Sequence, residues 1–297
     1  MPDLSIRAKI FAIILLFTAL APSRAGAQEA LRESLRSDVA FFADSTMRGR
    51  EFGSPEVQKA VFYVANTFKM SGLWTSVQSF RAAGKVGHNV IGVTPGYFDR
   101  YILVCSYFDG LGVVSGKIYP GADSNASGMA ALLSVARSLA RSASESTTGV
   151  IFVAFDGHGV DMAGSKAFHD AFSKQYNVSL VVNLDILGST LAPLKKGRPD
   201  YLIALGGLAY DFGLSRANRD PGLHLSYDYY GSRNFTDLFY KSMGDQKWFV
   251  QKKVPAVMFT SGITLNTNKP TDTVETLDYD ILARRVTLIT NWLRYQF

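Results

Sequence analysis

The apolar residues follow two patterns, and segments with one pattern alternate along the chain with segments of the other. Spacing of three or four residues indicates amphipathic helices, whereas short continuous apolar runs indicate buried strands. The helical spacing predicts helices over residues 29–44, 55–71, 127–142, 161–173 and 277–294. The apolar runs predict strands over residues 89–93, 101–106, 149–155, 180–187, 201–205 and 254–260.

Strands that alternate with helices predict an α/β fold. The near-continuous apolar run at 149–155 is typical of a parallel sheet covered on both faces. The sequence shows no internal repeat and no low-complexity linker. We therefore expect a single-domain α/β/α sandwich with a mostly parallel central sheet, in which ligand sites form at the carboxyl ends of the strands.

The first residues follow a different pattern. Arg7 and Lys9 precede an apolar run over residues 10–20, and small residues follow at 25–27. This is the pattern of a secretory signal peptide, and the run is shorter than the roughly 20 residues that span a bilayer. The sequence predicts a signal peptide over 1–27, cut after Ala27, and one domain over 28–297. A buried N-terminal helix is the less favoured alternative. The mature protein is expected in the periplasm or outside the cell, with no membrane span.

Composition narrows the class of protein further. A chain of 297 residues with 47% hydrophobic and 19% charged residues can fill a globular core. The net charge of +6 is modest, and its densest basic cluster is the short segment 195–198, which argues against a nucleic-acid partner. Cys105 is the one cysteine, so an internal disulfide and a cysteine-based zinc site are both excluded. Four histidines are few for a histidine-rich metal enzyme.

Polar motifs follow the predicted strands and, taken together, resemble one known family. In order and spacing, the chain is similar to the M28 family of zinc aminopeptidases, to which glutaminyl cyclases are related. The matching segments are Tyr-Phe-Asp-Gly (107–110), Pro-Gly-Ala-Asp-Ser-Asn-Ala-Ser-Gly (120–128), Val-Ala-Phe-Asp-Gly-His-Gly (153–159), Asn-Leu-Asp (183–185), Val-Pro-Ala-Val-Met-Phe-Thr-Ser-Gly (254–262) and Lys-Pro-Thr-Asp-Thr (269–273). The resemblance implies an M28-like fold and, for the family, two Zn²⁺ ions.

The residues that this resemblance would place at the metal site are largely replaced. Where the family has a zinc-binding His, a bridging Asp, a ligand Glu and a second zinc-binding His, this chain has Tyr107, Ser124, Gly159 and Asn268. Asp185 is the only ligand position retained. The general-base Glu of the family is replaced by His158, and a further family His by Gln246. Asp109 keeps the Asp of the His-x-Asp motif.

These substitutions predict a protein that is inactive as a zinc peptidase. Ser, Tyr, Asn and Gly cannot hold a tetrahedral zinc ion at neutral pH, and without the metal nothing lowers the pKa of an attacking water from about 15.7 towards 7. No cofactor is expected. We expect a cleft formed by Tyr107, Asp109, Asp123, Ser124, His158, Asp185, Gln246 and Asn268, which binds a peptide or a protein N-terminus.

Three alternatives stay open at this point. His158 is either a base or a polar filler of an altered cleft, and Asp109 and Asp185 could serve only as acceptors for loop N–H groups. Ser124 and His158, with Asp109 or Asp185, form a nominal Ser/His/Asp set, which would require hydrogen-bonding distances between them. A single weakly bound metal at Asp185, His158 and Asp123 is the third alternative. Whether the chain is an enzyme of any kind depends on which of these alternatives holds.

Overall fold

The central feature of the fold is one eight-stranded sheet. The computed structural model describes residues 24–144 and 147–297. Its strands are β1 (Trp74–Ala82), β2 (Lys85–Val93), β3 (Arg100–Tyr107), β4 (Val113–Val114), β5 (Lys117–Ile118), β6 (Thr148–Phe155), β7 (Val178–Leu184), β8 (Tyr201–Leu205), β9 (His224–Ser226) and β10 (Ala256–Thr260). The order in the large sheet is β1-β2-β6-β3-β7-β10-β8-β9, and β4 and β5 form a separate hairpin.

The middle of the sheet is parallel, as predicted. Strands β6, β3, β7 and β10 run in the same direction, whereas β2 joins β6 and β8 joins β10 in antiparallel pairs. Every residue of β6 is buried, because helices cover both faces of the sheet. The parallel strands bring their carboxyl ends to one edge, where the loops carrying the candidate site residues begin.

The helices lie in two layers. They are α1 (Arg24–Ala43), α2 (Pro55–Met70), α3 (Gly128–Ser144), α4 (Ala163–Phe172), α5 (Asp211–Ala217), α6 (Arg233–Leu238), α7 (Lys247–Gln251) and α8 (Tyr279–Arg294). Leu35, Val64, Leu132 and Leu282, from α1, α2, α3 and α8, belong to the core cluster on one face of the sheet. Phe168 of α4 and Phe249 of α7 belong to the cluster on the other face. The predicted α/β/α sandwich is confirmed.

Several boundaries and short elements differ from the prediction. Strand β1 was not predicted because it is an edge strand with no buried position, so its apolar residues are sparse. The predicted helix at residue 127 begins at Gly128, after an irregular turn over Ala122–Ser127. Helix α2 begins at Pro55, as predicted, and the side chain of the preceding Ser54 makes no capping hydrogen bond. The short helices α5, α6 and α7 were also missed, because two turns show too little periodicity.

Most of the predicted signal peptide lies outside the described residues. The structure begins at Arg24, and residues 24–27 form the first turn of α1. Over residues 24–144 and 147–297, no helix is both long and apolar enough to cross a membrane. The predicted cleavage after Ala27 stays a prediction.

Candidate functional site

A cavity of about 190 Å³ lies at the carboxyl ends of the central strands. One part of its lining is polar, and we call this the polar end: Tyr107, Asp109, Ser124 and His158, with Asp245 behind them. The other part, the apolar side, is formed by Ile186, Tyr229, Phe239, Met243 and Met258. The residues of the polar end come from the loops after β3 and β6. The cavity therefore lies at the carboxyl ends of the strands, where the sequence predicted a ligand site.

The polar end is organised around the imidazole of His158. The Tyr107 and His158 rings stack with centroids 3.7 Å apart and an interplanar angle of 8°. Nδ1 of His158 donates a hydrogen bond of 2.8 Å to Oδ2 of Asp245, which is fully buried. His158 is thereby fixed between an aromatic ring and a carboxylate.

The charge of Asp245 governs the protonation of His158. Burial, the largest single effect, lowers the pKa of the imidazole, but the charge and hydrogen bond of Asp245, together with the charges of Asp185 and Asp109, raise it by more. The result is a pKa of about 9. At neutral pH the ring is a cation, so it is not available as a general base or as a neutral metal ligand.

Asp109 supports the loop that carries His158. Its Oδ1 accepts a hydrogen bond of 2.9 Å from the backbone N–H of His158, and its Oδ2 accepts one of 3.2 Å from that of Gly159. Burial raises the pKa of Asp109, while the His158 charge and the two N–H donors act in the opposite direction. Asp109 therefore contacts the backbone of residue 158 rather than its ring.

Ser124 lies in a turn that a buried acid defines. The Asp272 carboxylate accepts hydrogen bonds from the backbone N–H groups of Asp123, at 2.8 Å, and of Ser124, at 3.0 Å. The Ser124 hydroxyl lies 3.5 Å from the Tyr107 hydroxyl, and the described residues include no hydrogen bond from Ser124 to His158. The nominal Ser124, His158 and Asp109 set is therefore not assembled: the carboxylate on the ring belongs to Asp245.

Asp185 lies between the polar end and the apolar side. After the larger effect of burial, its charge raises the pKa of both Tyr107 and Tyr229, so it is close to each ring. Burial raises the pKa of Asp185 itself to about 6, against an opposing effect of His158. Asp185 is 5% exposed, and its Oδ1 has no hydrogen-bond partner. That oxygen is a hydrogen-bond acceptor for which the described part of the protein provides no donor.

Six of the eight residues expected in the cleft line the cavity, and two do not. Oδ1 of Asp123 accepts hydrogen bonds from the backbone N–H groups of Gly188 and Ser189 and from the Ser127 hydroxyl, so it serves loop structure. Gln246 is buried, accepts a hydrogen bond from Asn183 and donates to two backbone carbonyls. Both side chains are occupied elsewhere, and their placement in the cleft is corrected.

Sequence reasoning missed two features of the site. Asp245 was not among the predicted site residues, although its place directly before Gln246, a replaced family position, was a signal of its role. The apolar side was not predicted, because Tyr229, Phe239 and Met243 come from a stretch with weak periodicity. Its position over the cavity depends on contacts distant in sequence.

Comparison with known proteins decides the family. The model of "Peptidase family M28" matches residues 89–293, which include all of the site described above. The chain belongs to peptidase family M28. This M28 protein is 26% identical over 156 residues to leupeptin-inactivating enzyme 1 of Streptomyces exfoliatus, a match that covers 52% of this chain and 34% of that protein. It thus matches about a third of the length of that relative.

Solved structures show the same fold at low sequence identity. BSAP, a zinc aminopeptidase from Bacillus subtilis, aligns with a TM-score of 0.73 and 14% identity, over 89% of this chain and 95% of that one. A glutaminyl cyclase from Porphyromonas gingivalis aligns with a TM-score of 0.67 and 16% identity, over 90% and 98%. At these identities, the likeness supports the shared fold alone.

The donor set of this M28 protein does not fit the zinc ions that its family name and structural neighbours imply. Among the described residues, no three or more His, Cys, Asp or Glu side chains lie where they could jointly hold a metal ion. At the five family positions only Asp185 has a carboxylate, and the other four are Tyr107, Ser124, Gly159 and Asn268. Both oxygens of Asp109 accept backbone N–H groups, and Nδ1 of His158 is bonded to Asp245. The single weak metal at Asp185, His158 and Asp123 loses Asp123 for the same reason.

Proposed function

We propose that this protein is an exported, non-catalytic member of family M28, a pseudopeptidase whose cleft binds a peptide or a protein partner. The observation that carries the proposal is the state of the polar end. Where a metallopeptidase needs ligands and a general base, this chain has a stacked Tyr107–His158 pair bonded to Asp245. A protonated imidazole cannot accept a proton from water, and a single carboxylate cannot hold two zinc ions.

The alternative of a hydrolase on the same scaffold has less support. A serine mechanism needs a base within about 3.2 Å of the hydroxyl, directly or through one water. Ser124 instead faces Tyr107 at 3.5 Å, and His158 is a cation held by Asp245. A metallo-aminopeptidase with a weak site would have to gather its ligands, apart from Asp185, from residues that already make other hydrogen bonds.

Metal analysis combined with an activity assay tests the proposal. The full-length protein is expressed with its own leader and purified without chelator. We expect zinc far below one ion per chain, and no turnover of aminoacyl p-nitroanilides above that of a Ser124→Ala, His158→Ala double variant. Stoichiometric zinc, or turnover that the double variant loses, would overturn the proposal.

Export is tested separately. We expect the protein in the periplasmic or culture fraction, with an amino terminus at Gln28. Recovery of the intact leader from the cytoplasm would contradict the export part of the proposal and leave the inference about catalysis unaffected. As a control for cleavage, Ala25→Arg and Ala27→Arg should block processing.

A further inference from the structure

One part of the outer surface of the protein is strongly apolar. Five large apolar side chains there are between 40% and 84% exposed and do not line the cavity: Leu191, Tyr230, Phe235, Leu238 and Leu265. Helix α6, which carries two of them, has no buried residue at all. Monomeric proteins seldom expose a large continuous apolar patch, and those that do generally use it for binding.

The segments that carry these side chains are in contact with one another. The Tyr230 hydroxyl donates a hydrogen bond of 2.6 Å to the carbonyl of Ala192. The Tyr229 ring lies 4.9 Å from the Tyr230 ring and 6.3 Å from the Phe235 ring. The Tyr229 hydroxyl also accepts a hydrogen bond of 2.8 Å from the backbone N–H of Ile263. These contacts join three segments into one surface: residues 190–200, 228–241 and 263–269.

The same surface is basic, and we call it the apolar-basic face. Its three segments contain six basic and three acidic residues. One of the acids, Asp200, is paired with Arg198. Another, Asp237, is paired with Lys241. That leaves one acid, Asp228, and four exposed cations that have no carboxylate partner among the described residues: Lys195, Lys196, Arg233 and Lys269.

This combination of residues fits a membrane surface better than a protein partner. Lysine is depleted in protein–protein interfaces, whereas lysine and arginine beside leucine and phenylalanine are typical of peripheral membrane contacts. The positive charge complements anionic lipid headgroups, which attract each nearby Lys or Arg.

We propose that the apolar-basic face docks onto an anionic lipid bilayer. Leu191, Phe235 and Leu265 would enter the headgroup region, and the four unpaired cations would lie against lipid phosphates. This contact is peripheral and requires no membrane-spanning helix. The inference goes beyond the proposed function and does not depend on the state of the cleft, because neither the five apolar side chains nor the four cations line the cavity.

Vesicle flotation tests the proposal with bilayers of defined charge. The protein, expressed with its own leader, is mixed with vesicles of phosphatidylcholine alone or of about three parts phosphatidylcholine to one part phosphatidylglycerol. We expect binding to the anionic vesicles to be at least roughly tenfold tighter than to the neutral ones. Raising the salt concentration from about 0.1 M to about 1 M should weaken it, since the Debye length falls from ~10 Å to ~3 Å.

A double variant tests the apolar part of the contact. Phe235→Ser with Leu265→Ser should weaken binding to anionic vesicles by roughly tenfold or more. The matched control is Phe62→Ser with Met70→Ser, because both residues are exposed on α2, which packs against β1 and β2 at the far end of the sheet. This control should bind like the wild type.

A second double variant tests the charge. Lys195→Glu with Lys196→Glu should weaken binding by roughly tenfold or more. Lys59→Glu with Lys69→Glu, on the exposed side of α2, changes the net charge by the same amount and should leave binding unchanged. Circular dichroism and the melting temperature of each variant establish that it folds.

Equal binding to neutral and anionic vesicles, or undiminished binding in either folded variant of the face, would overturn the inference. The second result includes binding through an uncleaved leader, which these substitutions do not touch. A dimer in sedimentation velocity that the same variants break, without vesicle binding, would assign the face to a second copy of the chain and would also overturn it. None of these results bears on catalysis, whereas zinc-dependent turnover would contradict the proposed function and leave the membrane contact unaffected.

Discussion

The polar end and the apolar side of the cleft differ in whether their polar groups find hydrogen-bond partners within the protein. At the polar end, Tyr107, His158 and Asp245 form a chain of direct contacts, and Asp109 supports it through backbone N–H groups. Beside the apolar side, Asp185 keeps a buried oxygen without a partner. The polar end therefore satisfies its own charged groups from within the protein, whereas the oxygen of Asp185 remains open to a donor from outside.

The largest expected effect concerns the support of the polar end. Arg50 is fully buried and donates to the carbonyls of Phe42, Phe108, Pro120 and Gly121, which tie the loops of the polar end together. Arg50→Ala should lower the free energy of unfolding by on the order of 4 kcal/mol, because it leaves several buried carbonyls without donors. Urea denaturation measures the change.

The exposed Arg48, two residues away, provides the matched control for Arg50. Arg48→Ala should change stability by less than about 0.5 kcal/mol. Similar losses in the two variants would mean that Arg50 does not organise the polar end.

The second expected effect is a pH dependence of stability that arises at the polar end and not at the apolar side. The folded-state pKa of His158, about 9, lies above its ordinary value of 6.5. Its contribution to stability is therefore fully present below pH 6.5 and is lost as the pH rises through about 9. The difference between the two pKa values corresponds to on the order of 3 kcal/mol.

Asp245→Asn should remove this contribution. Its unfolding free energy should fall below that of the wild type by roughly 3 kcal/mol near pH 6.5, and the gap should shrink by pH 10. Buried acids with raised pKa values, such as Asp156, also lower stability as the pH rises, but they act in both proteins. Chemical denaturation over this pH range measures the gap, and a gap independent of pH would show that the Asp245–His158 charge pair does not stabilise the fold.

A smaller effect is expected on the apolar side. Met243 is 46% exposed, so Met243→Ala should reduce stability by less than about 1 kcal/mol. Thermal unfolding measures the change, and Met70→Ala on α2, at 89% exposure, is the control. A large loss of stability in Met243→Ala would contradict the description of this side as open.

The smallest effect tests the stack at the polar end. Tyr107→Phe keeps the ring over His158 and removes only the hydroxyl, which lies 3.5 Å from that of Ser124 and also bonds to the Asp185 carboxylate. We expect a change of about 1 kcal/mol or less in thermal unfolding, since one hydrogen bond contributes modestly. Tyr107→Ala, which also removes the stack and a buried ring, should cost on the order of 3 kcal/mol. Equal effects of the two substitutions would show that the stack is unimportant.

Much of the fold and part of the site followed from the sequence. The alternation of helical and strand periods, with a fully apolar β6, determined the α/β/α class and the sheet edge that carries the cavity. The residue types at the family positions predicted that Tyr107, Ser124, Gly159 and Asn268 do not replace the zinc ligands of the family. These conclusions depend on local periodicity and on the chemistry of single side chains, both of which can be read from a linear chain.

Only the tertiary structure decided which side chains meet. Asp245 lies 87 positions from His158, and no local pattern predicts that its carboxylate reaches the imidazole. The same is true of Asp123 and Gln246, which are occupied outside the cleft: the backbone N–H of Gly188 binds Asp123, and the Asn183 side chain binds Gln246. Strand β1 and the apolar side were missed for a related reason: exposed edges and short helices take their positions from long-range packing rather than from the period of their own residues.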